Sequence, residues 1–162
     1  MTATSPLRPG RALLAGLAAG AAGTTALNAV TYLDVVMRAR GASSTPEDTA
    51  VKLAQKLGIE IPGDEAERAN RIAGLGPLMG IAAGLGVGAT VGLARAFGFR
   101  PALPLAGILA GGLAMVATDA PMAVLRVSDP RTWAPTDWLS DAVPHLVYGV
   151  VTTVVVAALH RS

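Results

Sequence analysis

A column of glycines limits this chain more than any other feature. Gly76, Gly80, Gly84, Gly88 and Gly92 recur every four residues along an apolar run that reaches from Pro77 to Phe97. Residues four apart in a helix lie nearly one above another, so these five form a ridge without side chains. In a water-exposed helix each glycine costs about 1 kcal/mol against alanine. A bilayer supplies a reason to accept that cost. Lipid is as apolar as leucine, so helices there associate through close backbone contact, and small-xxx-small ridges permit it. The ridge therefore predicts a packed membrane bundle. Composition agrees: 52% of residues are hydrophobic and 15% are charged, against about 25% charged in an ordinary soluble domain.

A membrane-spanning helix needs about 20 residues. Four runs qualify: Ala12 to Leu33, Pro77 to Phe97, Ala102 to Leu125 and Trp138 to Leu159. Arg8 and Arg11 before the first run resemble a signal-peptide flank, but its length and the three runs that follow predict a retained helix. A soluble helical bundle would need a polar stripe on each surface helix, and the second and fourth runs have almost none. The expected fold is all-α, a polytopic bundle of four transmembrane helices forming a single membrane domain over residues 1–162. Cysteine is absent, so there is no disulfide framework and no thiolate metal site.

Residues 1–10, with Pro6, Pro9 and Gly10, read as a disordered head. Residues 38–72 form the one sizeable extramembrane connector. Within it Thr45-Pro46-Glu47-Asp48 predicts a helix start, with Thr45 as cap and acids in the first turn. That helix should end near Leu57 at Gly58, and a second should begin at Asp64. Pro77 either kinks it or begins a new one. Gly98-Phe99-Arg100-Pro101 is a short turn, and short turns join antiparallel neighbours. Trp133 and Trp138 flank the last loop, as an interfacial aromatic belt would. Thr136 or Asp137 should cap the fourth span.

The first span carries Gly16 and Gly20, then Thr24, Asn28 and Tyr32; the third carries Gly107 and Gly111 ahead of Asp119. Four spans put both termini on one face, here face A, opposite face B. All eleven acidic residues then fall toward face B. Face A receives only Arg8, Arg11, Arg95, Arg100 and Arg161. The polar residues of the spans follow the acids. Asn28, Tyr32 and Asp34 end the first helix, Asp119 lies in the third, and Asp141, His145 and Tyr148 begin the fourth. They can converge in one polar cup open to face B.

Two readings are open for Asp119. It lies seven residues before Arg126, about 10 Å along a helix, where a carboxylate is expensive and marks function. Alternatively Thr118-Asp119-Ala120-Pro121 is a helix stop, and Asp119 sits near water. Asp141 and His145 are one turn apart, a spacing that lets a carboxylate orient an imidazole or supplies two metal ligands. A metal is left undetermined, because Asp119 or Asp34 would have to complete the set. No cofactor is expected. The sequence holds no phosphate loop, no HExxH pair and no nucleophile elbow, so catalysis is not expected. The basic residues are dispersed among acids, which excludes a nucleic-acid interface.

His145-Leu146-Val147-Tyr148-Gly149, with Thr25-Ala26-Leu27-Asn28 ending the Gly-rich first helix, resembles small, uncharacterised four-span membrane proteins of bacteria, actinobacteria especially. The resemblance spans most of the chain by layout, and implies topology without an activity. It places the chain in the bacterial inner membrane. Lys and Arg number eight on face B and five on face A, a count that by itself would make face B cytoplasmic; six of those eight lie among acids in the connector, and the unopposed arginines of face A favour cytoplasmic termini.

Two functions are compatible with these residues. One is a non-catalytic membrane protein that associates with itself or with a larger membrane complex, Gly80, Gly84 and Gly88 making the contact. The other is a cup that binds or transports a proton, a metal ion or a small polar solute. Beyond the lipid bilayer, the expected partner is a second copy or another membrane protein.

Overall fold

The computed structural model describes residues 8–160; the head at 1–7 and Arg161 lie outside them. The described residues form α1 (Pro9–Arg38), α2 (Thr45–Lys56), α3 (Glu65–Ala96), α4 (Leu103–Val124) and α5 (Pro135–Leu159), with a 3-10 turn at Pro130–Thr132. No strand occurs among them. α1, α3, α4 and α5 are each long and apolar enough to cross a membrane. The chain is an all-α, multi-pass membrane protein.

Helix starts follow proline and side-chain acceptors, with local differences from expectation. α1 begins at Pro9, so Pro9 and Gly10 belong to the helix and not to the head. Proline suits that first position because its missing N–H would be unpaired there anyway. Ser44, not Thr45, is the cap residue of α2, and Ser43 Oγ accepts from Thr45 N at 3.2 Å. Asp64 caps α3, its Oδ1 accepting from Glu67 N at 2.9 Å. α5 is capped at Ala134, with Pro135 next; Asp137 supplies the bond, Oδ2 accepting from Ala134 N at 3.0 Å.

None of the internal prolines, Pro77, Pro121 and Pro144, ends its helix. α3 runs through Pro77 for 32 residues, about 48 Å, so its N-terminal part stands beyond an apolar core of about 30 Å. α2 docks on that projecting part. Gly76 makes room for it, since a Cβ there would lie 2.8 Å from Glu47 Cδ. α4 likewise continues through Pro121 to Val124.

α1 packs mainly on α3 and also on α5, while α4 packs mainly on α5. α3 and α4, adjacent in sequence, meet over a smaller area. In cross-section the order is therefore α3, α1, α5, α4. Glycines set this order. A Cβ on Gly88 would lie 2.5 Å from Gly20 Cα, one on Gly16 2.9 Å from Ala89 Cα, and one on Gly92 2.8 Å from Gly16 Cα. On the other side, a Cβ on Gly149 of α5 would lie 2.5 Å from Gly111 N and one on Gly111 2.7 Å from His145 O. Gly107 faces Val150. Between the two seams lies a small core of Val87, Ala114 and Tyr148, with Leu27, Val91 and Ala117 against it.

Gly80 is the exception in the ridge: a Cβ there meets nothing within 4 Å. The α1 ridge facing it has changed from Gly16 and Gly20 to Thr24 and Asn28. The contact with α1 reaches Thr24 at Gly84 and does not extend to Gly80.

Candidate functional site

Polar groups gather where α4 and α5 approach face B. Asp119 is in mid-helix and only 9% exposed, so of its two readings the structure has the buried one. The helix continues past it to Val124, and Thr118 Oγ1 bonds back to Ala114 O at 3.2 Å and Met115 O at 3.0 Å. His145, 8% exposed, comes from the facing turn of α5. Its Nδ1 lies 2.9 Å from Asp141 O and 3.3 Å from Asp141 Oδ1. Nδ1–H is thus the donor to Asp141, which in the neutral ring leaves Nε2 to accept. Thr118 Oγ1 is 3.3 Å from that Nε2 and 3.4 Å from Asp119 Oδ1. The Asp119 carboxyl also faces that of Asp141 across the α4–α5 interface. Asp141 Oδ2 is buried without a hydrogen-bond partner among the described residues.

This arrangement holds two carboxyls and one imidazole in a site shielded from water. Even a protonated imidazole balances only one carboxylate. A buried charge left unbalanced is strongly destabilising, so the second carboxyl needs a proton or a small cation. Thr118 carries a single hydroxyl hydrogen for four acceptors within 3.4 Å, so it can turn as the site's protonation changes. Among the described residues, no three His, Asp or Glu side chains converge as metal ligands.

The remaining cup residues are placed elsewhere. Tyr148 is buried, but its hydroxyl donates to Gly84 O at 2.6 Å, tying α5 to α3 on the face-A side of the cluster. Asn28 is half-buried on α1. Tyr32 is 60% exposed and points away from the bundle. Asp34 pairs with Arg40 at 2.7 Å and with Arg38 at 3.5 Å. Arg38 Nη1 in turn donates to Ser140 Oγ at 2.7 Å, closing a polar rim between the ends of α1 and α5, next to Asp141.

No family model matches this chain, no curated protein matches it, and no solved structure matches it.

Its own residues carry the functional reading. Sequence spacing pairs Asp141 with His145, and the structure brings Asp119 to them. Thr118 and Ser140 join without having been singled out as site residues. The available signal for Thr118 is its place beside an acid and three residues before a proline in an apolar run. Threonine there can bond back to its own helix and still present its hydroxyl to a neighbouring one.

Proposed function

We propose that this membrane protein binds a proton within the bundle, in the Asp119–Asp141–His145–Thr118 cluster, and exchanges it with one face only. The observation that carries this reading is a buried imidazole that meets the Asp141 carboxyl on its own helix and, through Thr118, the Asp119 carboxyl on the facing one. Ionisable groups inside a membrane are expensive and mark proton and ion pathways. Asp141 is the most exposed of the three, beneath the Arg38–Ser140 rim, and serves as the point of exchange. Toward face A, Val87, Ala114 and Tyr148 fill the bundle, so the site opens to face B. A metal ion has less support than a proton, since among the described residues no three His, Asp or Glu side chains are arranged to ligate one. Association through the glycine ridge has less support, since Gly84 and Gly88 press on α1 inside the same chain.

The test is infrared difference spectroscopy of the protein in nanodiscs during a pH titration. Wild type should give a titrating band of a protonated carboxyl in an apolar site. Asp119→Asn should remove it, and His145→Ala should shift its midpoint. A band unchanged by both substitutions, or no band at all, overturns the proposal.

A further inference from the structure

The seam between α3 and α4 holds a second feature, far from the polar cluster and at the face-A end. Both helices turn their glycines elsewhere, α3 toward α1 and α4 toward α5. Their facing sides instead carry Val91, Ala94, Leu103, Ala106, Leu109 and Leu113, and these side chains line a cavity of about 190 Å³. It is several times the roughly 30 Å³ that one water occupies in the liquid. It follows α4 from Leu103 to Leu113, about 15 Å at 1.5 Å per residue, and α5 closes its floor with Thr153 and Val156.

Water has little to hold it there. The lining hydroxyls already donate within their own helices, Thr90 Oγ1 to Gly86 O at 2.9 Å and Thr153 Oγ1 to Gly149 O at 2.8 Å. A cavity wants polar partners before it keeps water, and an empty one forfeits dispersion contacts along its lining. In a bilayer the material at hand is an acyl chain.

The mouth selects which lipid. Arg95 and Phe99 line its outer end. Arg100 lies beside them, its Nε donating to Arg95 O at 3.2 Å. His160, at the end of α5, is near enough to both arginines to feel them. Burial first, then these two charges, holds its imidazole below the usual histidine range. No acidic side chain of the chain falls on this face. An apolar slot under a cationic mouth, with no carboxylate side chain to repel an anion, complements a lipid with a negative headgroup.

We propose that the α3–α4 seam binds one anionic phospholipid, an acyl chain lying in the slot and the phosphate on the arginines at the mouth. Native mass spectrometry would test this on the full chain, released from nanodiscs holding equal phosphatidylglycerol and phosphatidylcholine. Wild type should retain one phosphatidylglycerol in preference to phosphatidylcholine. Arg100→Gln, at an exposed position, should lower that preference about fivefold, the scale of one basic side chain at a headgroup. Ala106→Phe should fill the slot and abolish retention of either lipid. Equal retention of the two lipids by wild type would overturn the proposal. So would full phosphatidylglycerol retention in both variants, or a lipid-free dimer showing that a second copy fills the slot. Because Arg100→Gln leaves the buried seams untouched, its result stands even if Ala106→Phe misfolds.

Discussion

Asp119 and His145 share a cluster, yet their removal should act in opposite directions. Asp119→Asn removes one of two facing carboxylates and leaves an amide that Thr118 can still reach, so the bundle should become more stable. His145→Ala removes the imidazole that balances Asp141 and leaves a partly shielded carboxylate without its partner, a loss of about 1–3 kcal/mol. Denaturation in mixed detergent micelles would read both, and a shift of the same sign in the two variants would contradict the charge balance described. The glycines offer a second contrast at this scale. At Gly88 an added methyl group would lie 2.5 Å from backbone atoms of α1, and overpacking of this kind costs about 1–3 kcal/mol. At Gly80 the same group meets open space. Gly88→Ala should therefore lower the unfolding midpoint while Gly80→Ala leaves it unchanged or slightly raised. Equal effects at the two positions would mean that the ridge is not used as the fold places it.

Among the elements, the loop from Leu125 to Ala134 gives the clearest response to pH. Arg131 holds Asp129 by side-chain and backbone hydrogen bonds, and pulls its carboxyl below the usual aspartate range. A carboxyl with a depressed folded pKa stabilises its element above the unfolded value, here an ordinary aspartate near 3.9. That stability is lost as pH falls through the lower folded value. Trp133 reports on the same loop, its Nε1 donating to Ser128 Oγ at 2.8 Å and its ring set 5.1 Å from Trp138. Its fluorescence should hold steady from neutral pH down to about 4 and change only below, a transition that Asp129→Asn removes. The helices themselves were legible in the sequence because an apolar run of membrane length declares itself without reference to any partner. Their mutual arrangement was less so. Spacing at four puts Gly76 to Gly92 on one face, but it cannot say that Gly76 admits Glu47 while Gly84, Gly88 and Gly92 meet α1. In the candidate site the local pair Asp141–His145 was legible for the same reason. The distant residues were not: Tyr32 lies on the predicted face and still points outward, because the position of a neighbouring helix decides what that face meets.

At the scale of the whole molecule, the two ends of the bundle differ in kind. Toward face B the helices are linked by the Arg38–Ser140 hydrogen bond and by the buried cluster. Toward face A they are held by backbone contact, with an apolar opening between α3 and α4 whose mouth carries Arg95, Arg100 and His160. Proton exchange at one end and lipid binding at the other are separable by design of the variants: Arg100→Gln should leave the infrared titration intact, and Asp119→Asn should leave the retained lipid intact. A substitution at one end that altered both readouts would show that the ends communicate through α4.

α5 is the last span in chain order, and it touches the other three. This gives the bundle a timetable. When α1, α3 and α4 have already entered the membrane during synthesis, Gly23 still lacks Tyr148 and Thr152, Gly111 lacks the backbone of His145, and Asp119 has no imidazole nearby. A carboxyl and two bare backbone surfaces then face lipid until the final helix arrives. A nascent chain that stalls before Ala134 keeps them there, with the carboxyl held at a depth where it is costly.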